Sequence, residues 1–397
     1  MPASGGPSTQ AEAADVNAEF VAALAQRADE AERLRRLPAA TISDFKACGL
    51  ATLLLPARFG GRQAQFSQLL DPVRRMAHGC ASSAWTLGFY TLHNWMLSLF
   101  DIEAQEEVFA SGPVLAPAPL APTGRGVVAD GGIRLTGRWS WATGIMDADW
   151  VMVGAVIDGL KGKTESIYPA LVALPADETE VVDVRHTAGM RGTGSHDVIV
   201  TDVFVPLRRV VSVVDIYSGT APGSIAHDAA TYRWPMVPAL ALTAAMPVLG
   251  AAEKVVELYQ DRVQERVLAY SGMAQKDQPA AQIRLGDARV RLRALSALVA
   301  DTAAGIERIV VAGDRVPRAV RADARAAAAH TVHESRAIIA DLLEASGASA
   351  QFLSNPLQRA KRDVDIAAGH VIFDYDLSRE LSGALSIGAA ISPLAMI

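Results

Sequence analysis

Two of the eight histidines in this chain sit on apolar stretches where an imidazole could act on a bound molecule. His93 lies in Phe89-Tyr90-Thr91-Leu92-His93-Asn94-Trp95, and His370 lies in Ala367-Ala368-Gly369-His370-Val371-Ile372. Local sequence alone favours a satisfied core residue at each. The alternative is an acid–base group near neutrality. His330 and His333, followed by Glu334, have the spacing of a metal pair on one helix face. No third ligand follows at useful spacing, so they read as a solvated face, and no metal site is expected.

Two further stretches suit a flat polar ligand. Gly137-Arg138-Trp139-Ser140-Trp141-Ala142-Thr143-Gly144 packs two indoles with small hydroxyl residues. Rings stack on rings, and hydroxyls or backbone amides bind a heterocycle's edge. An ordinary β-domain core is the other reading. Gly189-Met190-Arg191-Gly192-Thr193-Gly194-Ser195 permits close backbone approach to a ligand and adds two hydroxyls. It is neither a Walker loop nor a dinucleotide fingerprint. A tight hairpin loop explains it equally well.

The elements that must position these residues change character along the chain. Residues 1–16 read as a disordered tail. Residues 17–112 read as a helical domain, with helices near 17–36, 41–49, 66–78, 82–99 and 101–109. Pro113, Pro117, Pro119 and Pro122 end that pattern. A β domain follows over 113–213. It opens with a hairpin turning at Asp130-Gly131-Gly132 and continues with strands near 150–156, 168–174, 180–184 and 197–205. Residues 214–234 read as a linker loop. Residues 235–397 read as a four-helix bundle, with helices near 236–268, 280–312, 317–346 and 356–382.

Composition narrows the function classes. The chain has 397 residues, enough for two or three packed domains, and is 50% hydrophobic and 20% charged. Lys+Arg number 37 against Asp+Glu 43, interspersed, for a net charge of −6. Neither a nucleic-acid partner nor a polybasic membrane role is expected. Cys48 and Cys80 are too few for a disulfide scaffold and suit a reducing cytoplasm. No signal peptide is expected from the small, polar first residues. The apolar window 236–252 contains Pro238 and Pro247 and runs into Glu253 and Lys254, so it reads as a buried helix start.

In order, these pieces resemble the acyl-CoA dehydrogenase fold: an N-terminal helical domain, a barrel-like middle β domain and a C-terminal four-helix bundle, hence mainly α with a central β domain. Within it the chain is most similar to two-component flavin-dependent monooxygenases of the 3-hydroxy-9,10-secosteroid and 4-hydroxyphenylacetate hydroxylase type. The resemblance runs from about residue 18 to 376. It rests on Leu55-Pro56-Ala57-Arg58-Phe59-Gly60-Gly61, Gly79-Cys80-Ala81-Ser82-Ser83-Ala84-Trp85, His93-Asn94-Trp95, the two ligand-suited stretches and Asp202-Val203-Phe204-Val205-Pro206. Ala345-Ser346-Gly347-Ala348, Pro356, Arg359, Arg362-Asp363 and His370 complete it.

The resemblance implies that His93 and His370 are the active-site histidines. Trp139, Trp141 and Thr143 match the flavin-contacting strand, and Thr193 and Ser195 a flavin-side loop. Arg262 or Arg266 matches the arginine that reaches a neighbouring subunit's flavin phosphate. The cofactor implied is reduced FMN or FAD, FMN preferred, supplied by a separate flavin reductase. With O2 it would form a flavin hydroperoxide that hydroxylates a small, phenolic substrate in a homotetramer. An N-hydroxylating enzyme of amines or amino sugars, an acyl-CoA dehydrogenase and a non-catalytic flavin binder are the alternatives. A dehydrogenase needs a carboxylate base. Gly369-His370 stand where most of that family has Glu, and no Asp or Glu lies between Tyr232 and Ala252. After Gly144, Ile145-Met146-Asp147 replaces the Cys-Asp-His-like run that often borders the substrate cavity there.

Overall fold

The computed structural model describes residues 16–158, 168–269, 271–392 and 395–397. Residues 1–15 of the expected tail lie outside the described residues, while Val16 is fully buried. The first expected helix is two: α1 (Ala18–Gln26), capped by the Asn17 side chain, and α2 (Ala28–Leu34). They part at Arg27, whose guanidinium bonds Asp44 at 2.6 Å. The helices α3 (Ala39–Ala47), α4 (Leu70–Ala77), α5 (Ala81–Leu97) and α6 (Ile102–Val108) follow.

The middle of the chain forms a sheet from β1 (Gly124–Ala129), β2 (Gly132–Ala142), β3 (Trp150–Asp158), β4 (Tyr168–Pro175), β5 (Glu180–Val182), β6 (His196–Pro206) and β7 (Val210–Ser212). Its order is β5-β6-β2-β1-β3-β4-β7. The β1–β3 pair is parallel and the other pairs are antiparallel. Ala129 faces Gly132 across the first hairpin, and Gly131 takes φ 73° there, as a two-residue turn demands. The proline-rich run is an extended edge: Leu115, Pro117 and Pro119 present carbonyls to the amides of Asp149, Met152 and Gly154.

Residues 214–234 are not a plain loop. They include most of α7 (Val213–Ser218), all of α8 (Pro222–Ala226) and a 3₁₀ turn at Ala230–Arg233. Beyond them stand α9 (Met236–Glu265), α10 (Pro279–Val311) and α11 (Arg318–Ser346). The α9 helix is long and apolar enough to cross a membrane, with a mean hydropathy of 1.5 over its window, but 89% of that window is buried inside the protein. The last expected helix is broken into α12 (Pro356–Ala367) and α13 (Tyr375–Ser386). Between them His370 and Asp374 each accept a backbone N–H two or three residues on, from Ile372 and Leu377. Two N-caps this close restart the backbone rather than continue it.

The α5 helix runs through the middle of this assembly, and all seventeen of its residues are buried. Its polar side chains therefore need partners inside the protein. Thr86 and Thr91 turn back onto Ser82 and Leu87 carbonyls. Asn94 donates to the Val114 carbonyl at 2.8 Å and accepts the Val114 amide at 3.0 Å. Trp95 donates to Thr231 O at 2.8 Å, and Tyr90 to Gly144 O at 2.6 Å. These bonds tie the helical layer to the proline edge and to the end of β2. Tyr90→Phe would remove one of the two hydrogen bonds that the buried Gly144 carbonyl accepts, leaving that from the Asp147 amide, and a loss of about 0.5–1.5 kcal/mol of unfolding free energy is expected. Denaturant titration of the variant checks this; an unchanged midpoint contradicts it.

Candidate functional site

One face of α5 carries a ladder of rings. Trp85, Phe89 and His93 stand at i, i+4 and i+8, so they form one stripe spanning about 12 Å. Trp85 and Phe89 centroids lie 5.0 Å apart, and Phe89 and His93 5.3 Å. At the far end His370 meets Trp85 edge-on at 5.8 Å, and it lies 6.1 Å from Phe373. The two histidines thus share one wall without touching. The four-residue spacing was visible in the sequence, although only His93 was singled out there.

The two rings have opposite tautomers. His93 Nδ1 lies 2.5 Å from the Ala116 carbonyl, which can only accept, so Nδ1 carries the proton. Nε2 is left with a bare lone pair and meets no hydrogen-bond partner among the described residues. Burial pushes the pKa of His93 down to about 4, so the ring is neutral at pH 7. His370 Nδ1 instead accepts the Ile372 amide at 3.2 Å, so its neutral ring carries the proton on Nε2 and offers a donor. Crowding by protein, then the charge of Arg325, push His370 below the ordinary imidazole range. His370 is nonetheless exposed to solvent. The expectation of a buried His370 on a helix face is corrected: it sits exposed at the α12–α13 break.

Arg325, fully buried on α11, holds that break in place. It donates to the carbonyls of Val371 at 3.0 Å, Ile372 at 3.1 Å and Met396 at 2.6 Å. These contacts cross 46 to 71 residues of sequence, and nothing local signals them.

The other candidates gather at the end of β2. Trp139 and Trp141 would share a face in a regular strand. The pairing with β6 shifts between Trp139 and Ala142, and Trp141 takes φ 70°. This bulge turns the second indole outward. Trp141 is 64% exposed, while Trp139 is 1% exposed and bonds Gly154 O at 2.7 Å. Trp139 therefore belongs to the β-domain core, a correction to its expected ligand contact. Thr143, Ser195 and Thr193 form a hydroxyl chain, with Oγ–Oγ distances of 3.0 and 2.8 Å. Thr193 must donate to the Met190 carbonyl at 2.8 Å, so Ser195 donates to Thr193 and Thr143 to Ser195. The order leaves Thr143 Oγ1 with lone pairs and no free proton. It is an acceptor for a ligand N–H.

The loop carrying Thr193 is seated between α5 and α12. Ser82 reaches Met190 Sδ at 3.8 Å, and the Met190 amide donates to Asp363 Oδ1 at 2.5 Å. Burial raises the Asp363 carboxyl to about 6. The hydroxyl chain thereby lies at the Trp85–His370 end of the ladder, with His93 two turns further along α5. The outward indole, the hydroxyl acceptor and the imidazole donor suit a flat nitrogen heterocycle such as flavin. A concavity between α10 and α11, lined by Ile283, Asp287, Arg291 and Leu342, lacks this chemistry; Arg291 is already paired with Asp287, Glu334 and Asp341.

Arg262 and Arg266 lie elsewhere, where α9 ends beside the end of α11. Arg262 donates to Ser346 O and Ser349 Oγ, each at 2.7 Å, and Arg266 to Ser346 O at 3.1 Å. Neither has a carboxylate partner among the described residues, so the pair retains its charge for an anion. No contact joins it to the histidines within the described chain. His333 stacks on Tyr375 at 4.1 Å and His330 bonds the same phenol at 3.1 Å, so both serve α13 docking.

Residues 242–375 match the family described as acyl-CoA dehydrogenase, C-terminal domain. The flavin-dependent monooxygenase, oxygenase subunit HsaA, of Rhodococcus jostii (strain RHA1) is 33% identical over 376 residues, covering 93% of this chain and 96% of that protein. The crystal structure of 3-HSA hydroxylase from Rhodococcus sp. RHA1 superposes with a TM-score of 0.89 at 30% identity, over 96% of this chain and 97% of that one. XiaF from Streptomyces sp., in complex with FADH2 and glycerol, gives 0.88 at 30% identity, over 95% and 94%.

The depressed pKa of His93 has a measurable sign. Between about pH 6.5 and pH 4 the unfolded ring binds a proton and the folded ring does not, so unfolding free energy falls as pH falls. The slope is about 1.4 kcal/mol per pH unit, or roughly 3 kcal/mol across the window. His93→Gln is expected to remove this loss. Comparing urea midpoints of the two proteins at pH 7 and pH 5 checks it; parallel loss in both would contradict a neutral His93.

Proposed function

The chain belongs to the flavin-dependent monooxygenases, as an oxygenase component with the acyl-CoA dehydrogenase fold, and on that premise we propose that it hydroxylates a phenolic ring held along the α5 ladder. The observation that carries the reading is the pair of neutral histidines with opposite tautomers on one ring-lined wall. Reduced flavin, when bound, supplies the electron pair that activates O2. In this proposal Trp141 stacks the flavin ring and Thr143 Oγ1 accepts its N–H. Arg262 and Arg266 take its phosphate, on this chain or across a homotetramer contact. Either FMN or FAD meets these needs, and reduced FMN is the first to test.

His93 Nε2 accepts the substrate's hydroxyl proton as a hydrogen bond. A phenol titrates near 10 and His93 near 4, so full transfer before reaction is opposed by about six pK units, on the order of 8 kcal/mol. The proton therefore moves as the ring becomes nucleophilic, and the role of His93 is to orient that hydroxyl. His370 Nε2–H serves as the donor toward the oxygen being transferred. The buried ladder excludes water from the reacting ring, a condition for oxygen to reach substrate rather than leak. Acyl-CoA dehydrogenation has the same fold but lacks its base here, since His370 stands where that carboxylate is expected. A reductase separate from this chain follows from the oxygenase-subunit character of its relatives. A cytoplasmic setting is part of the same reading, supported by a cysteine content of only two, Cys48 and Cys80.

Oxygen uptake and product mass with reduced FMN and a panel of phenols and amines tests the assignment. Hydroxylated phenol is expected, with turnover from NADH only when a flavin reductase is added; hydroxylamines from the amines would overturn it. His370→Ala is expected to keep its fold and flavin affinity while product yield falls about 10²-fold and hydrogen peroxide rises. Unchanged coupling in a folded variant would remove His370 from the mechanism.

A further inference from the structure

Arg185 is 4% exposed and has no carboxylate hydrogen-bonded to it among the described residues. Its Nε and Nη1 are buried without any partner, and Nη2 makes one long contact of 3.4 Å to the Met190 carbonyl. Burial lowers its pKa to about 10, with Asp363 as the compensating charge nearby. Asp363 spends one oxygen on the Met190 amide rather than on the guanidinium. A buried, under-bonded arginine is costly. Its guanidinium carbon lies 5.0 Å from the centroid of the Trp141 ring, stacked as a cation on that indole. The same indole is the one turned outward by the bulge in β2.

From this placement we infer that Arg185 selects the anionic, reduced form of flavin. The inference rests on the reading that flavin stacks on Trp141. Arg185 covers one face of the indole, and the other is open to a ligand ring. Reduced flavin loses a proton from N1 near neutrality and carries a negative charge, whereas oxidised flavin is neutral. A ring stacked on the free face of Trp141 lies on the order of 9–10 Å from the guanidinium. At an effective dielectric of about 20, attraction over that distance is worth on the order of a tenfold preference. Water cannot reach the buried nitrogens to screen the charge, and the protein makes few bonds to it. The field is directed through the indole at whatever sits on it. The positive group touches neither substrate nor cofactor, so Arg185 is a positioning and specificity residue.

Anaerobic fluorescence titration with oxidised and with reduced FMN tests this in the wild type and in Arg185→Met, Arg185→Gln, Arg185→Lys and Trp141→Ala. Melting temperatures of the flavin-free proteins are measured alongside. Arg185→Met and Arg185→Gln are expected to lose about tenfold in the preference for reduced over oxidised FMN, and Arg185→Lys to keep most of it. The flavin-free Arg185→Met protein is expected to melt at or above the wild-type temperature, because an unsatisfied buried charge is gone. Equal weakening of both flavin forms, or a lower melting temperature with the preference intact, would make Arg185 structural and overturn the inference. Wild-type affinities in Trp141→Ala would instead overturn the placement of flavin on that indole, a separate failure.

Discussion

Burial of α5 along its whole length is the constraint from which the site follows. A helix with no solvent-facing side must satisfy every polar side chain internally, and this one carries Tyr90, Thr91, His93, Asn94 and Trp95. The partners of Tyr90, His93 and Asn94 are backbone groups of the β domain and its proline edge: Gly144, Ala116 and Val114. Satisfying the helix therefore docks the sheet at one register. It also orients the imidazole: burial keeps the ring neutral, and the bond from Nδ1–H to Ala116 O fixes the tautomer that leaves Nε2 bare. Stability and chemistry come from the same contacts.

Elsewhere the chain stays unsatisfied at the proposed ligand contacts and directly behind them. Trp141 exposes a large indole at a backbone angle unusual for a residue with a side chain, Arg185 keeps two nitrogens unbonded, and His370 faces solvent. The rest of the fold compensates. Arg325 alone ties α11, the α12–α13 break and Met396 together through three carbonyls. The loop carrying Thr193 is pinned at Met190 by Asp363 and approached by Ser82.

Helices and strands were legible in the sequence because their periods are strong and proline separates them. The helical, β, helical order and the resemblance it carries stand with the family shown by the relatives. Departures arise where a local rule met a contact distant in sequence. The break between Ala367 and Tyr375 hid between two strongly periodic helices, although Gly369 and Asp374 were stop and capping signals. Trp139 and Trp141 looked alike at two-residue spacing, and only a bulge against β6 separates them. The Trp85-Phe89-His93 stripe was readable from spacing, but which way it faced was not. Arg325 gave no local sign, since its partners come from Val371, Ile372 and Met396, and the Trp141 on which Arg185 stacks comes from β2, distant in sequence.

The central claim is that two neutral imidazoles on one wall present opposite faces: an acceptor at His93 and a donor at His370. Neutron diffraction from deuterium-exchanged crystals at pH 7 reads this directly. Deuterium is expected on Nδ1 of His93 and on Nε2 of His370, with the other nitrogen of each ring bare. Deuterium on His93 Nε2, or on both nitrogens of either ring, would contradict the account.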